Sequence, residues 1–260
     1  MPSRIGRRGF LTAGGVAAAA LLAPGTALAE PAVPPRVVPV DGSLNARDVG
    51  GHRTRQGTTV RYGRMVRSGT LSGVTETGLA QLAALRLHTI VDYRDATEIA
   101  RSGPGRVPPR VRVVELPVGA AEPVLNGLLP ARPDPALIAT YRSYTSHPES
   151  LGQFAATFRL LANPTALPLL VTDATGTGRV GWMTALLLTL LGVPRDAVYA
   201  EYLYSNAQLG GPHVAKEYLD AAFDQAVAQF GSLDAFYTLG LGVTPLVRGL
   251  IYLNFLGPGH

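Results

Sequence analysis

The residues with the most chemical content in this 260-residue chain lie between Leu167 and Leu191. The apolar run Leu167-Pro-Leu-Leu-Val-Thr172 reads as a buried strand. A short loop follows, Asp173-Ala174-Thr175-Gly176-Thr177-Gly178. Arg179 then opens an apolar helical stretch to Leu191, stopped by Gly192 and Pro194. The first turn of such a helix leaves backbone N–H groups unpaired, and its dipole adds partial positive charge there. Glycines let the preceding loop curl so that several N–H groups converge, which makes an anion site. Arg179 at the mouth adds a two-pronged donor. Glycines after a strand also serve tight packing alone. Asp173 puts a carboxylate at the bottom of this pocket. If several N–H groups donate to it, it is a fixed anion. If it is dry and poorly bonded, it can act as an acid or base.

The elements that must position this loop alternate along the chain. Met65 to Gly69 reads as a short strand running into a loop. Thr75 to Leu85 has apolar residues at helical spacing, with Thr75 as its cap. His88 to Asp92 is β-branched and reads as a buried strand, and Arg110 to Leu116 alternates as another. Gly119 to Pro135 is rich in Pro and Gly, the pattern of a long lid or mobile loop. Ala136 to Tyr144, Leu151 to Ala162, Arg195 to Ser205, Val214 to Phe230 and Leu233 to Leu239 read as helices. Strands alternating with helices predict an α/β fold with a central parallel-rich sheet flanked by helices.

Composition narrows the chemistry further. The chain has no cysteine, which excludes disulfides, thiolate metal sites and thiol catalysis. The five histidines show no metal-ligand spacing, so neither a metal nor a cofactor is expected. Arg4, Arg7 and Arg8, the apolar run Ala13 to Ala23, and Ala27-Leu28-Ala29 together read as a twin-arginine-type export signal over residues 1–29. The alternative is an uncleaved anchor, although the run is short for a membrane span. Without residues 1–29 the formal charge falls from +5 to +2, since they hold three arginines and no acid. No nucleic-acid surface is expected, and no stable membrane insertion once the signal is removed. Residues 30–40 are Pro-rich and read as a linker, leaving 41–260 as the domain. The oligomeric state is not encoded in any visible pattern.

Several segments in order resemble one known family. Asn45-Ala-Arg-Asp-Val-Gly-Gly51 is similar to an N-[FA]-R-D-[LV]-G-G opening. Arg67-Ser68-Gly69 is similar to an R-S-[GA] strand end, and Val91-Asp92-Tyr93-Arg94 with Glu98 to V-D-L-R-x-x-x-E. Leu191-Gly192-Val193-Pro194 and Glu201-Tyr-Leu-Tyr-Ser-Asn206 resemble L-G-V-x and [DE]-Y-L-x-S-N. Tyr218-Leu219 and Phe230-Gly231-Ser232 continue the pattern. These are motifs of the bacterial tyrosine-phosphatase family that includes the mycobacterial secreted tyrosine and lipid phosphatases. The resemblance spans about residues 41–245 and implies a tyrosine-phosphatase-like fold with a helical or loop lid.

The loop departs from that family's H-C-x-A-G-K-D-R-T-G. Asp173 takes the place of the nucleophilic cysteine, Thr172 of the histidine, Thr177 of the lysine, and Gly178 of the aspartate. Gly176, Arg179 and Gly181 remain. Thiolate attack on phosphorus is therefore impossible. A carboxylate about 4 Å from a phosphate charge is repelled by roughly 4 kcal/mol per charge pair at an effective dielectric near 20. If Asp173 itself occupies the loop N–H groups, the loop is internally neutralised and phosphate binding is weakened. Three readings follow. In the first, Asp173 and Arg179 carry out acid–base chemistry (elimination, isomerisation or cyclisation) on a small non-phosphorylated molecule. In the second, the chain is an exported pseudophosphatase that binds a ligand. In the third, Asp173 is an aspartyl nucleophile working beside Mg²⁺. The expected binding residues are Thr172, Ala174, Thr175, Gly176, Thr177 and Gly178 of the loop. By the resemblance, Arg47, Asp48, Asp92 and Tyr141 join them. The competing reading, preferred for Asp92 and Arg94, is that Arg47, Asp48, Asp92 and Arg94 pair with each other to hold loops. Tyr141 and Tyr144 serve equally well as core, and Asn206 reads as a helix-end structural residue.

Overall fold

A computed structural model describes residues 36–119 and 133–259. The signal reading of residues 1–29, and most of the lid reading, fall outside them. In chain order the elements begin β1 (Arg36–Val37), β2 (Arg47–Asp48), β3 (Thr59–Val60), β4 (Met65–Ser68), α1 (Glu76–Ala84), β5 (Thr89–Asp92), α2 (Ala96–Ser102) and β6 (Arg112–Glu115). The second half holds α3 (Pro135–Ser146), α4 (Pro148–Ala162), β7 (Leu169–Thr172), α5 (Arg179–Leu190), α6 (Arg195–Leu209) and α7 (Lys216–Phe230). A short α8 (Leu233–Ala235) runs into a π turn (Phe236–Gly240), followed by α9 (Pro245–Phe255) and β8 (Leu256–Gly257).

The main sheet runs β1-β2-β4-β7-β5-β6. β7 lies between β4 and β5, parallel to both, and β6 extends the parallel set. β1 and β2 add antiparallel edges, so Arg36 and Val37 of the expected linker already belong to the sheet. β3 and β8 form a separate antiparallel pair. Buried helices cover the parallel strands, as such sheets require. Leu169 and Val171 point into the larger apolar core with α4 and α5, while Leu170 points into a smaller one with Val66, Leu82 and Ile90. That is the period of two expected of a strand buried on both faces.

The helices start where sequence chemistry sets them. Thr75 accepts from the Gly78 N–H and caps α1. Asp95 and Glu98 form a reciprocal capping box on α2. Eleven of the twelve residues of α5 are buried, so this helix is a core element whose apolar surface drives its packing. Trp182 on α5 meets Phe223 of α7 edge-on, ring centres 4.8 Å apart. Among the described residues no single helix is long and apolar enough to cross a membrane.

Candidate functional site

β7 ends at Thr172, and the loop 173–178 curls from there into α5. Gly176 has φ +74°, and a Cβ there would sit 2.7 Å from the Gly69 nitrogen and 2.8 Å from the Ser68 carbonyl carbon. Only glycine fits that approach of the loop to the end of β4. Gly178, at the start of α5, supplies no side-chain cap.

Asp173 does that work instead. Its Oδ1 accepts from the backbone N–H groups of Thr175 (2.9 Å) and Gly176 (2.5 Å), and its Oδ2 from Val180 N–H (3.0 Å). The carboxyl group thus sits among the converging donors at the start of α5. Asp173 is 0% exposed. The loop's own side chain fills the anion cradle.

The charges around the cradle are closed as well. Both terminal nitrogens of Arg179 donate to the two carboxylate oxygens of Glu98 at 2.7 Å, and one also donates to the Tyr93 carbonyl. Burial alone would raise the Glu98 carboxyl, but the hydrogen bonds and charge of Arg179 hold it below its ordinary 4.5. Under the loop, Glu201 bridges Arg47 and Arg67, both at 2.7 Å. Arg67 and Asn45 then hold the Gly176 carbonyl from behind, at 2.5 and 2.8 Å. Glu201 too stays below its ordinary value: burial pushes it up, and Arg47 and Arg67 pull it down further than that. Arg47 falls to about 10, first by burial and then by the nearby Arg67 charge. Arg47 and Arg67 thus face Glu201, and Arg179 faces Glu98, all five buried.

The residues expected at the site do not all lie together. Ala174, Thr175 and Thr177 line a cavity of about 350 Å³ above the loop, together with Tyr141. Tyr141 is also core: its hydroxyl shares a hydrogen bond with Tyr202, and its ring stacks on Tyr218 at 5.5 Å. Thr172, Gly176, Gly178 and Arg179 form the frame beneath, where the Thr172 hydroxyl donates to the Gly69 carbonyl. Asp48 accepts from the Gly50 and Gly63 N–H groups and pins a turn. Arg47 braces Glu201. Asp92 pairs with Arg94, and the two border a different, smaller cavity with Thr172. Tyr144 packs between Tyr141 and Phe154. Asn206 accepts from the His213 and Val214 N–H groups and ties off the end of α6.

Sequence reasoning missed much of the cavity wall: Ser43, Leu44, Thr70 and Ser72 on one side, and Leu137, Leu209, His213 and Tyr218 on the other. The first group sits in turns without periodicity. In the second, Leu137 and Tyr218 lie near the starts of α3 and α7, at positions a helical pattern assigns to core. The reach of Glu98 to Arg179 had a local sign, since the capping-box spacing fixes the start of α2.

Comparison with known proteins agrees with this frame. The triple specificity protein phosphatase PtpB of Mycobacterium tuberculosis is 30% identical over 190 residues, 64% of this chain and 67% of that protein. A Cupriavidus necator protein named for the tyrosine-protein phosphatases is 28% identical over 221 residues, 80% of this chain and 70% of its own. The core catalytic domain of the PP-IP phosphatase SIW14 from S. cerevisiae superposes with a TM-score of 0.38 and 11% identity, covering 70% of this chain and 91% of that one. That superposition is too loose to add to the assignment. The model of the tyrosine phosphatase family matches residues 38–257. This chain belongs to the tyrosine phosphatase family.

Proposed function

We propose that this chain is a ligand-binding member of its family without phosphatase turnover, in which the former phosphate cradle has become a structural knot. The observation that carries this reading is the Asp173 carboxyl group, fully buried and accepting from three backbone N–H groups of the loop. A phosphate would have to displace it, and the nearby arginines already have carboxylate partners, Arg179 on Glu98 and Arg47 and Arg67 on Glu201. Acid–base chemistry by Asp173 needs a carboxyl group within reach of a ligand. This one lies beneath the cavity floor with its acceptors engaged, which favours the binding reading over the enzymatic one. An aspartyl nucleophile needs the same access and is disfavoured for the same reason. Export is part of the proposal on the strength of residues 1–29 alone.

The test is an aryl phosphate assay on the purified chain, with and without Mg²⁺, beside a thermal-shift titration with vanadate. The expected result is no hydrolysis above buffer and no stabilisation by vanadate. Metal-dependent turnover that Asp173→Asn abolishes would refute the reading.

A further inference from the structure

The cavity above the loop indicates what kind of ligand it takes. Among the described residues that line it, none is Asp, Glu, Lys or Arg. A cavity on a phosphatase scaffold that offers a ligand no cation is poorly suited to phosphate esters, since a buried charge needs a partner. Its walls are instead Leu44, Leu137 and Leu209, with the rings of Tyr141 and Tyr218 stacked on each other. Its volume, about 350 Å³, falls within the range of small-molecule pockets.

The polar groups are few and neutral hydroxyls dominate. Thr175 and Thr177 share one hydrogen bond at 2.6 Å. Two hydroxyls in one mutual bond leave one O–H hydrogen over, able to donate to a ligand oxygen. On the other side His213 Nε2 lies 3.2 Å from the Leu209 carbonyl. A carbonyl only accepts, so Nε2 is the donor in that contact. The site therefore combines a spare hydroxyl donor, hydroxyl oxygens that accept, and apolar walls.

Resting on the reading of the loop as a filled cradle, we infer that this cavity binds an uncharged, ring-bearing apolar molecule carrying a hydroxyl. Such a hydroxyl can accept from and donate to the threonine pair while the ring lies against the leucines and tyrosines. Burial of the ring supplies the affinity, and the hydroxyl fixes its orientation.

Naphthol and naphthyl phosphate share one ring system and differ only in charge, so they isolate the point. Titration calorimetry on the intact chain is expected to give naphthol binding at least about tenfold tighter than naphthyl phosphate. Leu44→Arg adds a cation at a cavity residue that is 66% exposed, so the fold tolerates it. That variant is expected to weaken naphthol about threefold or more and to strengthen naphthyl phosphate. Equal or tighter binding of naphthyl phosphate by the unmodified chain would overturn both this inference and the filled-cradle reading. If neither compound binds and vanadate also leaves the protein unchanged, the ligand class is wrong while the loop reading survives.

Discussion

Removing the Asp173 side chain should reopen an anion site that the folded chain keeps shut. Asp173→Gly deletes the acceptor for three backbone N–H groups, of Thr175, Gly176 and Val180, all inside the fold. Hydrogen bonds to a charged group contribute about 1.5–3 kcal/mol each, and a buried donor left unsatisfied costs about 1–3 kcal/mol. Water entering the vacated space recovers part of this, so a net loss of about 3–6 kcal/mol follows for three donors. The same space now fits a phosphate or sulfate among the freed N–H groups. At a concentration about 100 times its dissociation constant, an anion that binds only the folded state returns about 2.7 kcal/mol. For a chain of this size that is a rise in Tm of roughly 5–10 °C. Asp173→Asn separates charge from space. It keeps one acceptor oxygen but turns an amide NH₂ toward the Val180 N–H, so it destabilises by about 2–4 kcal/mol without making room for an anion. The assay is thermal unfolding of the three proteins with and without phosphate. The account requires phosphate to stabilise Asp173→Gly and to leave the other two unmoved. Equal stabilisation of the unmodified chain, or no response from Asp173→Gly, would refute the reasoning.

Other consequences are equally direct. Glu98→Gln removes one partner of the buried Arg179 fork and should cost about 3–5 kcal/mol in urea unfolding near neutral pH. Glu98 and Glu201 are both held below 4.5 in the folded chain. Their contribution is therefore present above pH 4.5 and lost as pH falls through their folded values. Urea midpoints should drop below pH 4.5, and less steeply in Glu98→Gln. Burial pushes His52 below its ordinary 6.5, with Glu201 opposing and Arg47 adding to the shift, and its Nε2 has no partner among the described residues. Stability should therefore fall as pH drops below 6.5, and His52→Gln should flatten that limb. Gly176→Ala forces a Cβ to 2.7 Å from the Gly69 nitrogen at φ +74°, and should cost more than about 2 kcal/mol in the same unfolding assay.

The frame of the site was legible because it rests on local chemistry. Leu169 to Thr172 could only be a strand buried on both faces, and the glycines before α5 marked the converging donors. Whether Asp173 occupies them stayed open between a bonded anion and a dry acid, and its three N–H partners decide for the bonded carboxyl group. What was not legible depended on long-range packing. Glu201 reaches Arg47 and Arg67 across more than 130 residues, with nothing local to announce it. α9 was missed because Gly249 and the exposed Leu246 and Leu253 blur its apolar stripe. β1 was read as linker because two residues pairing at a sheet edge leave no periodicity to detect. Part of the cavity wall escaped notice for a related reason: Leu137 and Tyr218 carry the pattern of core residues, and in fact they serve as core and wall together.

The most direct probe is the amide spectrum of the loop. In a ¹⁵N-labelled sample of the unmodified chain, the Thr175, Gly176 and Val180 N–H resonances report their acceptor. If Asp173 fills the cradle, these three stay in place as phosphate is raised to high millimolar concentration. A saturable shift of all three on adding phosphate would mean that the cradle still takes the anion, and the account would be wrong at its centre.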